Sequence, residues 1–153
     1  MPTSSTRRSA LLMTAAAVLV PSAASAAPQP MIVHKDPNCG CCNGWVAHLE
    51  QRGFRIKTVE TVNLDRVKAR LGVPSDLAAC HTGEIGGYTI EGHVPAIAVE
   101  KALKERPKAR GLAVPGMPSG SPGMTGEAEE YEVILFGADL RRVYGRFTGD
   151  REI

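Results

Sequence analysis

Three of the four cysteines in this 153-residue chain, Cys39, Cys41 and Cys42, fall within four consecutive positions. They lie between a short apolar segment, "MIVHK", and an amphipathic stretch. This spacing limits the disulfides that can form, because a bond from Cys41 to Cys39 or to Cys42 would be strained. Two pairings remain open: Cys39 with Cys42, or one of the three cysteines with Cys80. Either pairing leaves other thiols free, so two structural disulfides are the weaker interpretation.

Hydrophobic periodicity predicts a helix directly after the cysteine cluster. Four residues recur at the spacing of one helical face: Cys42, Trp45, Val46 and Leu49. Gly53 is typical of a helix end. This helix would turn Cys42 toward the core and leave Cys39 and Cys41 at its exposed N-terminal end. The positive end of the helix dipole would stabilise thiolates there, as in thioredoxin-like proteins with a C-x-x-C pair at a strand-to-helix junction.

The rest of the pattern predicts an α/β fold, thioredoxin-like, with a mixed sheet, flanking helices and a C-terminal β-hairpin. "MIVHK" is the first strand. Four further elements follow: a strand at 54–59, a helix at 63–72 capped by Asn63, a helix at 95–106 with Pro95 in its first turn, and a hairpin at 132–147.

The N-terminus has the organisation of a cleaved signal peptide, residues 1–26. Arg7 and Arg8 precede an apolar run of about 11 residues, which is shorter than the roughly 20 that span a membrane. "ASA" at 24–26 supplies the cleavage site. The arginine pair leaves both the Sec and the twin-arginine routes open. We therefore expect a periplasmic protein with a single domain, 27–153, and no membrane association after cleavage.

The charge balance excludes one class of partner. The net charge of +2 comes from Arg7 and Arg8, because residues 1–26 contain no Asp or Glu, so the mature chain is neutral. The three Phe, three Tyr and one Trp do not alternate with basic residues as a stacking platform would. We expect no nucleic-acid partner.

An uncharged segment, "GLAVPGMPSGSPGMTG" at 111–126, carries Met117 and Met124. One interpretation is a flexible Gly/Pro/Ser linker. The other is a ligand-bearing loop, because long irregular segments within compact domains are uncommon without a function. Thiolate together with thioether selects Cu(I), whereas zinc sites prefer Cys and His at regular spacing. The ligand types favour copper.

The four histidines differ in their prospects as ligands. His48 lies seven residues beyond Cys41, about 10 Å along the helix axis, too far to share an ion. His34 ends the first strand and is the weaker of the remaining three. His81 follows Cys80 directly, and His93 lies between turn-forming Gly and Pro residues. His81 and His93 are therefore the better candidates.

Three motifs in this order resemble the CopG-like copper proteins, a periplasmic metal-binding family associated with bacterial copper resistance: "DPNCGCCNGWVAHLEQRGF", "CHTGEIGGYTIEGHVPA" and "GLAVPGMPSGSPGM", followed by "YEVILF". The resemblance covers nearly the whole mature chain and implies a thioredoxin-like fold that handles copper through C-x-C-C. It implies nothing for His34. The metal-site residues implied by the matching motifs are Cys39, Cys41, Cys42, Cys80, His93, Met117 and Met124.

Two functional classes make different demands on these thiols. A binding protein would sequester Cu(I), or more than one Cu(I) ion, or hand it to other periplasmic copper-handling proteins. An oxidoreductase would interconvert Cu(I) and Cu(II) or act on disulfides of partners, with Cys39 and Cys42 as the redox pair. The spare soft ligands favour binding over redox chemistry. A small structural domain with two disulfides is the third alternative.

Overall fold

The computed structural model describes residues 30–153, which contain one eight-stranded mixed sheet and three helices. The strands are β1 Met31–Lys35, β2 Ile56–Glu60, β3 His81–Ile85, β4 Tyr88–Glu91, β5 Gly111–Ala113, β6 Glu130–Phe136, β7 Arg141–Thr148 and β8 Arg151–Glu152. The helices are α1 Gly40–Gln51, α2 Leu64–Leu71 and α3 Ala96–Glu105. Within the described part of the chain, none of the helices is long and apolar enough to cross a membrane. The predicted signal peptide lies outside the described residues.

The predicted mixed α/β architecture with flanking helices and a C-terminal hairpin is confirmed, and β6 and β7 form that hairpin. α1 has Cys39 as its N-cap and buries Cys42, Trp45 and Leu49, as its periodicity predicts. Asn63 caps α2, since its side chain accepts a hydrogen bond from the Arg66 N–H. The thioredoxin-like class is finer than this architecture and stays a prediction.

The sequence interpretation was wrong at four strands, one of them the two-residue β8 that follows the predicted hairpin, and at one helix boundary. It missed β3 and β4, because both strands are buried on both faces and their polar side chains hide the alternation of a half-buried strand. It also missed β5, three residues at the start of the segment interpreted as a loop. Pro95 lies before α3 in an extended conformation, not in the first turn.

The order of strands, β2-β1-β3-β4-β5-β6-β7-β8, collects several chain segments at one edge of the sheet. β1 runs parallel to β2 and antiparallel to β3, so the ends of β1 and β2 lie beside the start of β3. β4 is antiparallel to β3 and parallel to β5, so the C-terminal ends of β4 and β5 reach the same edge as the start of β3. This edge therefore gathers the segments that carry Cys39, Cys80, His93 and the loop after Ala113.

The helices cover both faces of the sheet. Trp45 and Leu49 of α1 join Val99 and Ala102 of α3 in the main hydrophobic core on one face. On the other face, Lys68 and Leu71 of α2 contact polar side chains of β3 and β4. Neighbouring residues of β3 and β4 therefore face different surroundings, which matters for the residues at the site.

Candidate metal centre

The N-terminal end of α1 brings three sulfur atoms together. Cys39 and Cys42 form a disulfide, which is one of the two pairings that the sequence left open. Cys41 is a free thiol whose Sγ lies 3.5 Å from Cys39 Sγ. Cys42 is fully buried, whereas Cys39 and Cys41 are partly exposed. The cluster thus combines a disulfide with a neighbouring accessible thiol.

Cys80 adds the fourth sulfur from the segment that enters β3. Its Sγ lies 3.8 Å from Cys41 Sγ, and its carbonyl oxygen lies 3.7 Å from Cys42 Sγ. The four sulfurs all lie within 4.8 Å of one another. Sulfurs at this separation can share metal ions once the disulfide is reduced.

His93 presents one ring nitrogen to this cluster in a fixed orientation. Its Nδ1 lies 2.7 Å from the carbonyl oxygen of Pro122. A carbonyl only accepts, so Nδ1 carries the proton and the lone pair lies on Nε2. His93 Nε2 is 3.4 Å from Cys80 Sγ. This is the arrangement in which metal-binding histidines are usually held, with the second nitrogen donating to a carbonyl or carboxylate.

His81 is a further candidate ligand that sequence reasoning weighed but did not select. It is fully buried, and its Nδ1 lies 3.3 Å from Cys80 Sγ. Its ring lies 4.3 Å from that of Trp45. Among residues 30–153, His81 Nε2 is a buried side-chain nitrogen with no hydrogen-bond partner. The sequence signal was its position directly after Cys80.

Burial sets the protonation states of the site. It raises the pKa of Cys80 to about 12, and the neighbouring Cys41 adds to this effect. Burial lowers the pKa of His81 to about 3, with smaller contributions from His93 and Lys68. Burial also lowers the pKa of His93, partly opposed by the hydrogen bond to Pro122. Near neutral pH both imidazoles are in the neutral, ligand-competent form, and a metal must displace the Cys80 proton.

Met117 and Met124 lie on the loop that follows β5. Met117 is 57% exposed, whereas Met124 is partly buried. Met124 comes directly after Gly123, which packs against the start of α1. Their participation in a metal site stays a prediction. Internal hydrogen bonds hold the loop in place, including one of 2.7 Å from Ser121 Oγ to Pro118 O. The loop is therefore not a detached linker.

Gly123→Ala is expected to displace this loop from α1. A Cβ at Gly123 would lie 2.5 Å from Trp45 N and 2.7 Å from Cys41 O, and its φ of +89° disfavours any L side chain. We expect a loss of about 1–3 kcal/mol in the free energy of unfolding, measured with urea. Gly116→Ala is the matched control, because Gly116 has a φ of +74° but open space around it. Equal losses for both variants would contradict close packing at Gly123.

The structure gives the other two histidines roles outside the cluster. His34 Nε2 pairs with Glu84 at 2.7 Å, and Glu84 also binds Arg70. His48 Nε2 accepts a hydrogen bond at 3.1 Å from the N–H of Ala96, the first residue of α3. Protonation of His48 Nε2 would break this contact.

The hydrogen bond of His48 predicts a pH dependence of stability. Burial lowers the pKa of folded His48, so below the unfolded value of about 6.5 the unfolded state binds more protons than the folded state. Stability should therefore fall as pH decreases through this range. His48→Gln keeps an acceptor but does not titrate, so its urea-derived stability should depend less on pH between 8 and 5. Both proteins retain His81 and His93, and identical pH slopes would contradict the role of His48.

An α/β protein that gathers four cysteine sulfurs and two imidazoles at one sheet edge belongs to the class of candidate metal-binding proteins. A family profile described as "Protein of unknown function, DUF411" matches residues 77–124. Among solved structures, "Copper resistance protein copG" in its form 1 is 43% identical, with a TM-score of 0.75, covering 80% of this chain and 100% of the other. Form 2 has the same identity and TM-score and covers 79% and 99%. No relative is found among curated proteins.

A sequence identity of 43% over 80% of this chain and 100% of the other shows that the two proteins are homologous. The chain belongs to the CopG-like copper-resistance family, and its four-sulfur cluster makes copper ions plausible ligands. The matched profile covers Cys80, His93, Met117 and Met124. It begins downstream of α1 and so does not include the other three cysteines. The family resemblance inferred from the three motifs is therefore confirmed.

Proposed function

We propose that the protein binds Cu(I) through Cys39, Cys41, Cys42 and Cys80 and sequesters it or hands it on, which contributes to copper resistance. The observation that carries the proposal is the convergence of four sulfurs within 4.8 Å of one another. Thiolate ligands are soft and select Cu(I) over harder divalent ions. The name of the structural relatives, copper resistance protein, agrees with this ligand chemistry.

Bridging sulfurs explain how so compact a cluster would hold more than one ion. Three of the sulfurs come from residues 39–42, and Cys41 Sγ lies within 4 Å of both Cys39 Sγ and Cys80 Sγ. Separate mononuclear sites would each lack ligands, whereas shared thiolates supply several ions at once. Neutral His93 Nε2, already oriented by Pro122, would occupy a terminal position. Met117 and Met124 would close the remaining positions.

X-ray absorption at the copper edge tests this proposal. Reduced protein loaded with Cu(I) should show a sulfur-dominated shell and a short copper–copper distance. A shell dominated by nitrogen or oxygen, without that distance, would rule out the bridged cluster. Cys41→Ser should remove the copper–copper signal, because Cys41 lies between Cys39 and Cys80.

The two methionines are tested separately. Met117 and Met124 replaced together by Leu keep their apolar volume but lose both thioethers. We propose that Cu(I) is then extracted faster by a chelator, while the thermal unfolding of the metal-free protein stays the same. Unchanged extraction would exclude both methionines from the site.

A second candidate function, copper or thiol oxidoreductase, is supported by the disulfide between Cys39 and Cys42. Reduction of two Cu(II) ions would balance as follows: two thiols lose two protons and two electrons, one disulfide forms, and two Cu(I) ions result. Cys39 and Cys42 would be the redox pair. The free thiol of Cys41 lies 3.5 Å from Cys39 Sγ, close enough for thiol–disulfide exchange.

Mixing reduced protein with Cu(II) distinguishes the two functions. An oxidoreductase should lose two thiols for every two Cu(I) ions trapped by a chromophoric chelator, and it should turn over when a dithiol is supplied. A protein that only binds copper should retain its thiols in the same mixture and should show no turnover. Cys42→Ser removes the redox pair and should abolish any turnover.

We also propose that the protein acts in the periplasm as a single thioredoxin-like domain, 27–153, after removal of residues 1–26. The parallel β1–α1–β2 unit, with a C-x-x-C pair at the N-terminal end of α1, supports the thioredoxin-like class. Other copper-handling proteins of the same compartment would be its partners. Intact-mass measurement on a periplasmic extract tests the processing: a mass that retains residues 1–26 would contradict it.

A further inference from the structure

A buried ion pair lies beside the candidate metal centre without belonging to it. Lys68 on α2 is 7% exposed, and Glu91 at the end of β4 is fully buried. Lys68 Nζ lies 2.5 Å from Glu91 Oε1 and 2.9 Å from Thr82 Oγ1. Thr82 Oγ1 donates to Glu91 Oε2 at 2.7 Å. We call the side chains of Lys68, Thr82 and Glu91 the polar triad.

The polar triad also holds the backbone just before Cys80. The N–H of Ala79 donates to Glu91 Oε1 at 2.6 Å. Glu91 thus accepts three hydrogen bonds, and one of them comes from the irregular segment between the 3₁₀ turn Ser75–Leu77 and β3. No strand ladder holds Ala79, since β3 begins only at His81.

The polar triad lies on the face of the sheet opposite to the main core. Thr82 and Glu91 pair directly across β3 and β4, and both side chains meet Lys68 of α2. Side chains alternate along a strand, so His81, next to Thr82, points to the other face, where its ring meets Trp45. The polar triad therefore contacts the segment before Cys80 from the face of the sheet opposite to the main core.

Stability alone gives no reason for this ion pair. Replacing a buried ion pair with apolar residues of similar volume is often neutral or stabilising. The same layer already buries Leu71 of α2 and Leu77, so apolar residues would fit its chemistry. What apolar residues would lack is an acceptor for the N–H of Ala79.

We propose that Glu91 is a positioning residue for the metal centre, with Lys68 as its counter-ion. Glu91 lies two residues before His93 on the chain and, through Ala79, ties down the residue before Cys80. One carboxylate thereby fixes the relative position of two candidate ligands, whose atoms lie 3.4 Å apart. The inference rests on the proposed copper-binding function for its purpose, but its geometry can be tested without metal.

The test compares two double variants, Lys68→Met with Glu91→Gln and Lys68→Met with Glu91→Leu. Both remove both charges. Gln keeps an oxygen for the Ala79 N–H and an amide donor for Thr82, whereas Leu keeps only the volume. Outer-shell partners of metal ligands typically contribute about 10- to 100-fold to metal affinity. We expect the Leu variant to lose Cu(I) affinity within this range and the Gln variant to stay near the unaltered protein.

A metal-free readout measures the position of Cys80 directly. With the Cys39–Cys42 disulfide intact, diamide takes two electrons and two protons from the Cys41 and Cys80 thiols and forms a disulfide, identified by peptide mass mapping. The thiols start 3.8 Å apart. The rate of disulfide formation should fall severalfold in the Leu variant and stay near that of the unaltered protein in the Gln variant. Equal rates in both variants, whether high or low, would overturn the proposal.

Two further measurements make every outcome informative. If the Leu variant does not fold, Ala79→Pro removes the donor and leaves Lys68, Thr82 and Glu91 in place, and the extended backbone of Ala78, φ −61° and ψ 135°, accepts a following proline. An unchanged cross-linking rate in Ala79→Pro would overturn the proposal. If the unaltered protein fails to bind Cu(I), the proposed function is wrong, while the cross-linking rates still decide the role of Glu91.

Discussion

Reduction of the Cys39–Cys42 disulfide is expected to raise the affinity for Cu(I) by more than the roughly 10- to 100-fold that an outer-shell change produces. The disulfide removes two of the four thiolates from the cluster. The remaining pair includes Cys80, whose pKa burial raises to about 12, so Cu(I) must also displace its proton. Reduced protein offers four sulfurs within 4.8 Å of one another.

Anaerobic competition with a chromophoric Cu(I) chelator measures this difference, using reduced and oxidised protein freed of reductant. The double variant Cys39→Ser with Cys42→Ser is the control, because it has no disulfide to reduce. Its affinity should be low and should not respond to the reductant. Equal affinities of oxidised and reduced unaltered protein would show that the disulfide does not control access of copper to the cluster.

Local patterns predicted the parts of the fold in which one face of an element is apolar and the other is polar. The spacing of Cys42, Trp45 and Leu49 identified the buried face of α1, and all three residues are fully buried. Asn63 identified the start of α2 because its cap is a contact within four residues. The hairpin of β6 and β7 was likewise predicted from alternation around a short turn.

Elements with polar side chains buried on both faces gave no such signal. β3 and β4 read as "HTGEI" and "YTIE", and their Thr82 and Glu91 are buried where Lys68 of α2 pairs with them. That pairing depends on the register of Thr82 with Glu91 and on the position of α2. In the sequence, Lys68 resembles any other basic residue of a surface helix.

The candidate site shows the same division between local and long-range information. The clustering of Cys39, Cys41 and Cys42 could be predicted from the sequence because the three residues lie within four consecutive positions. The residues made Cys80 and His93 candidates, but the family resemblance was needed to place them in the site, since residues 80 and 93 reach the cluster through strand order. The orientation of His93 depends on the carbonyl of Pro122, a contact that no local pattern indicates.

The largest effect on stability is expected for Trp45→Ala. Trp45 is fully buried, its ring lies 4.3 Å from that of His81, and its Nε1 donates to Val94 O at 2.8 Å. Truncation of a large buried aromatic side chain costs about 3–5 kcal/mol, because it removes apolar contacts and leaves a cavity. The free energy of unfolding of a single domain is only about 5–15 kcal/mol, so the variant should be marginally stable.

Far-UV circular dichroism with urea measures this loss, since Trp45 is the only tryptophan and its fluorescence disappears with it. Trp45→Phe is the matched control: it keeps an aromatic ring against His81 but leaves the Val94 carbonyl without its donor, at about 1–3 kcal/mol. A loss in Trp45→Ala no larger than in Trp45→Phe would contradict the packing role. Because Trp45 links the helix that carries Cys42 to the strand that begins at His81, its truncation should also loosen Cu(I) binding, whereas Trp45→Phe should retain it.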